Sequence, residues 1–237
     1  MKIRLAGETA VGMLYPRRCP VCFEIIRPKG RLICPGCVKQ LSYLQEPLCR
    51  HCGTPLEKEE AEYCLGCRTH PRDFAAGVSV FRYASVSRAL LAMKYHDKRE
   101  FADFFACEIV RRHGKTILAW EPDALIPVPL HALRRLGRGY NQAELLARRI
   151  GKELGIPAET GVLRRVHYTS PQRKLTGAQR RKNLEHAFAA RRTELRTVVL
   201  VDDIYTTGST AQACTAALLR AGVERVYIVT AACGQSS

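Results

Sequence analysis

Residues 198–210, with the sequence VVLVDDIYTTGST, constrain the fold of this chain more than any other segment. Four consecutive apolar, mostly β-branched residues are typical of a parallel strand that is buried on both faces. Two adjacent carboxylates, Asp202 and Asp203, come next, followed by a short loop of hydroxyl residues and a glycine. The pattern then predicts a helix over 211–221, ended by Gly222 at the C′ position. A strand, a polar turn and a helix in this order indicate an α/β fold.

The turn between this strand and this helix has the composition of an anion site. Free N–H groups and the helix dipole meet at the start of a helix, and Gly208 lets a ligand approach the backbone closely. Hydroxyl donors come from Thr206, Thr207, Ser209 and Thr210. An ordinary capped helix needs one polar residue near its start. Six are present here, namely these four hydroxyl residues and the two carboxylates. Because two carboxylates repel a lone phosphate, we expect a ligand with a phosphate at one end and a diol at the other.

The same residues resemble the 5-phosphoribosyl-1-pyrophosphate (PRPP) motif of type I phosphoribosyltransferases, and every motif position is filled. The resemblance implies that Asp202 and Asp203 hold the ribose 2′- and 3′-hydroxyls. It also implies that residues 206–210 hold the 5′-phosphate.

Eight of the eleven cysteines form four C-x₂-C pairs, whose first members recur every fifteen residues. The pairs are Cys19 and Cys22, Cys34 and Cys37, Cys49 and Cys52, and Cys64 and Cys67. Each pair can point two sulfurs at one metal, so two pairs complete a tetrahedral structural zinc site. Segments this short cannot form a core, and zinc supplies on the order of 10 kcal/mol toward folding.

We therefore predict two structural zinc ions in a small N-terminal ribbon domain. The simplest arrangement places consecutive pairs on one ion; crossed pairing of the first pair with the third is an alternative. Iron–sulfur clusters are a rival to zinc, because they also take four cysteines. The other cysteines, Cys107, Cys214 and Cys233, lie in apolar patterns and are expected to be packing residues.

Composition narrows the class of protein further. No apolar stretch is long enough for a signal peptide or a membrane span, so we expect a cytoplasmic protein without membrane insertion. Cysteines in that compartment favour metal over disulfides. The formal net charge is +16, and eight thiolates with two Zn²⁺ ions lower it to about +12. A charge this positive indicates a polyanionic partner or phosphate-rich substrates.

The remainder of the chain alternates between strand and helix patterns. We place a zinc-ribbon domain at 1–72 and an α/β domain at 73–237, because the cysteine pairs stop there and a strand-like alternation begins at Val78. Helices are predicted at 87–95, 101–112 and 141–154, and strands at 78–83, 124–128, 162–163, 187–190 and 225–232. This alternation implies a parallel sheet with right-handed crossovers. A basic stretch at 164–184 is too long for an ordinary connection, so it is functional, disordered or a solvated loop.

Taken together, these segments resemble the ComF family of competence-associated, phosphoribosyltransferase-like proteins over nearly the whole chain. Beyond the cysteines and the PRPP motif, the resemblance rests on Lys94-Tyr95, Pro127-Val128-Pro129, Arg138-Gly139-Tyr140-Asn141-Gln142 and a pattern from Thr169 to Phe188 that includes Gln172, Leu175, Arg181 and Asn183. His96-Asp97 departs from it, since similar proteins often carry a glycine after Lys-Tyr.

The resemblance implies a type I phosphoribosyltransferase fold, PRPP bound with Mg²⁺ and, in some members, a role in DNA uptake. It makes a second loop the cradle for pyrophosphate and the basic stretch a lid over the leaving group. The cradle residues are Val128, Pro129, Leu130 and His131. The lid candidates are Arg173, Lys174 and Arg181.

Three functions follow from these patterns. The first is an enzyme that transfers phosphoribose to an unidentified nucleophile or runs the reverse reaction. The second is a non-catalytic accessory protein that grips single-stranded DNA beside the competence machinery, and the third is a PRPP-sensing regulator. The PRPP motif supports the first and third; the charge and the ribbon support the second. The basic segments carry only Tyr140 and Tyr168 for base stacking. We favour a PRPP-binding transferase fold that serves DNA uptake, with acceptor and oligomeric state unassigned.

Overall fold

A four-stranded sheet, parallel throughout, forms the centre of the protein in the computed structural model, which describes residues 16–166 and 187–234. Its strands are β1 (Ala76–Arg82), β2 (Ala124–Pro127), β5 (Thr197–Tyr205) and β6 (Arg225–Cys233). The strand order is β1-β6-β5-β2, and each neighbouring pair is parallel. A separate antiparallel pair joins β3 (Leu163–Arg165) to β4 (Phe188–Ala190). The predicted parallel α/β fold is confirmed.

Helices flank this sheet and connect its strands. They are α1 (Leu65–Thr69), α2 (Tyr83–Tyr95), α3 (Phe101–Ala119), α4 (Ala132–Arg138), α5 (Gln142–Leu154) and α6 (Ser209–Arg220), with a short 3-10 helix at Pro35–Gln40. Within residues 16–166 and 187–234, no helix combines the length and apolar content needed to cross a bilayer.

The central strand β5 is buried on both faces. Val199 and Val201 pack into a cluster with α2, α3 and α5, whereas Val198 and Leu200 pack into a cluster with α6 and the β3–β4 pair. Successive side chains of a strand point to opposite faces, so the apolar run at 198–201 supplies both clusters. The strand continues to Tyr205 and includes both carboxylates, rather than ending before them as the sequence pattern predicted.

Helix α5 follows its predicted boundaries because both ends carry local signals. The Asn141 side chain accepts a hydrogen bond from the Ala143 N–H at 3.1 Å, and Gly155 ends the helix with φ +73°. Helix α3 instead runs past its predicted end at residue 112. Its buried Gly114 faces Leu154 of α5, and a Cβ atom added to this glycine would lie 3.4 Å from Leu154 Cδ2. The glycine therefore serves close packing between helices and does not end α3.

Helix α4 was missed by the sequence analysis. Leu133 and Leu136, its two leucines, are 62% and 80% exposed. Because the helix buries no apolar stripe, its sequence lacks the periodicity that reveals a packed helix.

The N-terminal cysteine-rich segment lies along the β1 edge of the sheet. Leu44 N–H donates to Val80 O at 2.9 Å, and Gly77 N–H donates to His51 O at 2.7 Å. Tyr43 and Phe81 form an antiparallel bridge, and their rings pack at a tilt with 4.9 Å between ring centres. Backbone groups that an edge strand would expose are thus paired with the ribbon.

Candidate functional site

Asp203 lies near the carboxyl end of β5 and forms an ion pair with Lys94, the penultimate residue of α2. The two side chains are 13% and 21% exposed, respectively. Burial by itself would lower the pKa of Lys94, but the Asp203 carboxylate outweighs it and the pKa is raised. The ammonium group therefore stays charged beside the two carboxylates.

Asp202 is in a different electrostatic situation. Burial, together with the neighbouring Asp203 charge, raises the pKa of Asp202 well above its usual range. Its Oδ1 accepts a hydrogen bond from the Asp203 N–H at 2.8 Å. Hydrogen-bond donors from a ligand would offset the cost of its buried charge, because bonds to the charged form of a carboxyl favour that form.

Residues 206–210, here called the hydroxyl loop, connect β5 to α6. Gly208 takes the N-cap position with φ +74°, and a Cβ atom at this position would collide with the Tyr205 hydroxyl. Glycine has no side chain that could cap the helix, so the first-turn N–H groups remain available to a ligand. The Thr207 and Ser209 hydroxyl groups are 2.9 Å apart and hydrogen bond to each other.

A pocket opens beside Asp202 and this loop. Its lining includes Asp202, Thr206, Gly208 and Thr210, together with Thr230 of β6 and Val128 from the neighbouring loop. Four of the seven predicted PRPP residues therefore line one pocket. Of the others, Asp203 pairs with Lys94, and Thr207 and Ser209 are joined by their hydroxyl groups.

The predicted pyrophosphate cradle follows β2 at the same edge of the sheet. Val128 N–H donates to Val201 O at 2.9 Å, and Asn141 Nδ2 donates to Val128 O at the same distance. His131 caps α4, its Nδ1 accepting from the Leu133 N–H at 3.3 Å. Pro129 and Leu130 lie between these anchored residues and are partly exposed. The loop is thus held at both ends.

Three functional contacts were not predicted from the sequence. Arg72 Nη2 donates to the Thr207 carbonyl at 2.7 Å, Lys94 pairs with Asp203, and Asn141 holds the Val128 carbonyl. Lys94 and Asn141 were known only as parts of the family resemblance. Arg72 lies in a connection without any pattern, so no signal in the sequence identifies it.

The departure at His96-Asp97 has a conformational basis. Asp97 has φ +51°, in the left-handed region that glycine enters without a steric penalty. Aspartate tolerates this region better than most residues. Its Oδ1 also accepts a hydrogen bond from Arg99 Nε at 2.6 Å.

Both cysteine clusters have the geometry of a tetrahedral zinc site. In each cluster, the four sulfur atoms lie within 4.8 Å of one another. Sulfurs bound at about 2.3 Å to one tetrahedral zinc would be about 3.8 Å apart, and Cys52 to Cys64 measures 3.7 Å and Cys22 to Cys34 3.9 Å. One cluster joins the first and second pairs, and the other joins the third and fourth. The simplest pairing is confirmed, and the crossed pairing is wrong.

The remaining cysteines fit their predicted packing role. Cys214 and Cys233 are buried and Cys107 is partly buried. The lid candidates Arg173, Lys174 and Arg181, with the rest of residues 167–186, lie outside the described residues.

Comparison with known proteins supports both the cysteine clusters and the α/β domain that carries the pocket. The double zinc ribbon domain model matches residues 10–68, and the phosphoribosyl transferase domain model matches residues 108–237. Competence protein F of Haemophilus influenzae is 33% identical over 87% of this chain and 95% of its own length. DNA utilization protein YhgH of Salmonella typhimurium is 31% identical over 91% and 96%. Competence protein ComFC of Bacillus subtilis is 27% identical over 84% and 82%.

Proposed function

This chain belongs to the ComF family and joins a double zinc ribbon domain to a phosphoribosyl transferase domain, and from that premise we propose that it binds PRPP with Mg²⁺ and acts in DNA uptake. The names of its relatives, competence protein and DNA utilization protein, support the second half of this proposal.

The observation that carries PRPP binding is the pocket between β5 and α6. Asp202, Thr206, Gly208 and Thr210 all line it. A carboxylate accepts hydrogen bonds from a diol, and the free N–H groups of a helix start bind phosphate. Groups suited to both ends of a ribose 5-phosphate unit therefore line one pocket.

The neighbouring groups suit the pyrophosphate end of the same ligand. The loop after β2 is anchored at Val128 and His131, so Pro129 and Leu130 would present its backbone to the ligand. Mg²⁺ would supply positive charge between the pyrophosphate and ribose oxygens. We assign Arg173, Lys174 and Arg181 to a lid over this end. If transfer occurs, the positive charge on C1 would be stabilised by electrostatics and positioning.

Calorimetric titration with PRPP, with and without Mg²⁺, tests this proposal. Asp202→Ala combined with Asp203→Ala removes several charge-assisted hydrogen bonds, each worth about 1.5–3 kcal/mol. We therefore expect binding to weaken by at least about 100-fold. The control, Glu59→Ala with Glu60→Ala, removes the same charge from an exposed part of the ribbon and should leave affinity unchanged. If the aspartate double variant binds PRPP as tightly as the parent, the assignment is wrong.

A second candidate, single-stranded DNA binding, is favoured by the surface of α4. Its exposed Leu133 and Leu136 flank Arg134 and Arg135. The Arg138 guanidinium lies 5.4 Å from the ring centre of Tyr95, which is 65% exposed. Basic groups beside an exposed aromatic ring are the usual composition of single-strand sites, and this surface adjoins the carboxylates through Lys94.

A further inference from the structure

We propose that the two zinc sites have different roles, and that the second one, formed by Cys49, Cys52, Cys64 and Cys67, positions the hydroxyl loop. This inference rests on the proposed function only for the identity of the ligand. The contacts that carry it join the second ribbon (residues 49–67), and the segment 70–74 that follows it, to residues 205–212.

The first connection is the packing of Tyr205 between the second ribbon and the backbone of the loop. Tyr205 is 5% exposed and lies in the same buried cluster as Cys49 and Cys52 of this ribbon. Its hydroxyl lies directly against the Gly208 Cα, where a Cβ atom would collide with it. One buried side chain therefore joins the cluster that contains Cys52 to the N-cap of α6.

The second connection leaves the ribbon through its last helix. Residues 70–73 follow α1, and Arg72 Nη2 reaches the Thr207 carbonyl at 2.7 Å. The next residue makes two bonds to α6: Asp73 N–H donates to Gln212 Oε1 at 3.0 Å, and Gln212 Nε2 donates to Asp73 Oδ2 at 2.5 Å. The segment that follows the fourth zinc ligand of this ribbon, Cys67, thus forms hydrogen bonds to both the hydroxyl loop and the first turn of α6.

The second ribbon is itself seated rigidly on the sheet. Gly53 has φ +68°, and a Cβ there would lie 2.5 Å from Gly77 O of β1. The His51 ring packs 4.8 Å from Phe74, whose edge meets Tyr205 at 6.4 Å. A shift of this metal-binding turn would displace Phe74 and Tyr205 together, because close-packed interiors transmit strain.

The first ribbon (residues 19–37) packs on a different part of the protein. Phe23 meets Phe101 edge-on at 5.5 Å, and the Arg88 guanidinium lies 5.2 Å from the Phe23 ring centre. Both partners belong to the α2–α3 pair, whereas the contacts of the second ribbon and of residues 70–74 run to β1, Tyr205 and the hydroxyl loop. Loss of the first zinc should therefore loosen its own ribbon and leave the loop in place.

Two equivalent ligands provide a matched test. Cys34 and Cys64 each open the second pair of their ribbon, each is partly buried, and each precedes a short helix. Metal analysis should give two zinc ions in the parent and one in either Cys34→Ser or Cys64→Ser. Hydrogen exchange of the amides at 206–210 should accelerate at least about tenfold in Cys64→Ser and less than about twofold in Cys34→Ser. Ribose 5-phosphate affinity should fall in the same order.

A variant that keeps both metals decides the outcome if Cys64→Ser does not fold. Arg72→Gln retains two zinc ions and loses the Thr207 contact, so we expect loop exchange to accelerate at least about fivefold. Arg50→Gln, which removes an exposed ion pair with Glu62 in the same ribbon, is the control and should have no effect. Unchanged loop exchange in Arg72→Gln, or equal effects of Cys34→Ser and Cys64→Ser, would overturn the proposal. Because exchange is measured without ligand, failure of the parent to bind PRPP would count only against the proposed function.

Discussion

At the scale of single residues, Asp202 and Asp203 are adjacent in the chain, but their charges have opposite effects on the stability of the folded protein. Asp203 is neutralised by Lys94, whereas burial and the Asp203 charge raise the pKa of Asp202. A carboxyl whose pKa is raised on folding stabilises the folded state most below its unfolded pKa of about 3.9. That contribution is lost as the pH rises through the folded-state pKa.

We therefore expect Asp202→Asn to raise the melting temperature at pH 7, and its advantage over the parent to shrink as the pH is lowered to about 4. Asp203→Asn should do the opposite and cost about 2 kcal/mol at pH 7, because it leaves the Lys94 ammonium unpaired in a mostly buried position. Thermal unfolding across this pH range checks both. A lower melting temperature for Asp202→Asn at pH 7 would show that its charge is not a cost to the folded protein.

At the scale of elements, the hydroxyl loop and α4 place their glycines under different constraints. Gly208 has φ +74° and no room for a Cβ atom, whereas a Cβ atom added to Gly137 in α4 would have nothing within 4 Å. Gly208→Ala should destabilise the protein by about 2 kcal/mol or more, from the left-handed conformation together with the clash against Tyr205. It should also weaken PRPP binding.

Gly137→Ala is the matched control for this prediction. Alanine is the better helix former by about 1 kcal/mol, so this variant should be as stable as the parent or more stable. Denaturant unfolding measures both differences. Equal stability of the two variants would contradict a conformational requirement for glycine at position 208.

At the scale of the whole molecule, the formal charge of +16, or about +12 with both zinc sites filled, should make single-stranded DNA binding strongly salt-dependent. Each contacted phosphate contributes a slope of about −0.7 in a plot of log affinity against log salt. With four or more contacts, affinity should fall more than about tenfold between about 50 and 200 mM salt. Joint replacement of Arg173, Lys174, Arg180 and Arg181 by glutamine should flatten this slope.

A control of equal charge tests whether position matters for that prediction. Arg191, Arg192, Arg220 and Arg225 lie at or near the surface elsewhere on the protein, and their joint replacement by glutamine should affect the slope less. Fluorescence anisotropy with a labelled oligonucleotide measures all three proteins. Should both quadruple variants keep the parental slope, the basic stretch would serve the PRPP site alone.

The sequence by itself determined the features that depend on residues close together in the chain. The four C-x₂-C pairs identified eight candidate metal ligands, whereas their uniform spacing, which also separates Cys37 from Cys49 by twelve positions, left the pairing to the folded structure. The strand, hydroxyl loop and helix at 197–220 likewise follow from local periodicity, a glycine and helix-start chemistry. Helix α4 escaped prediction because hydrophobic periodicity reports burial, and α4 is exposed.

Only the tertiary structure decided which distant residues complete the site. Arg72 meets Thr207 across 135 positions of the chain, and Lys94 meets Asp203. The first contact joins the segment before β1 to the loop after β5, and the second joins the end of α2 to β5. A periodic pattern records which face of an element is buried, but it does not record which element covers that face. The support of the hydroxyl loop by the second ribbon is such a contact, and the folded sheet alone brings its partners together.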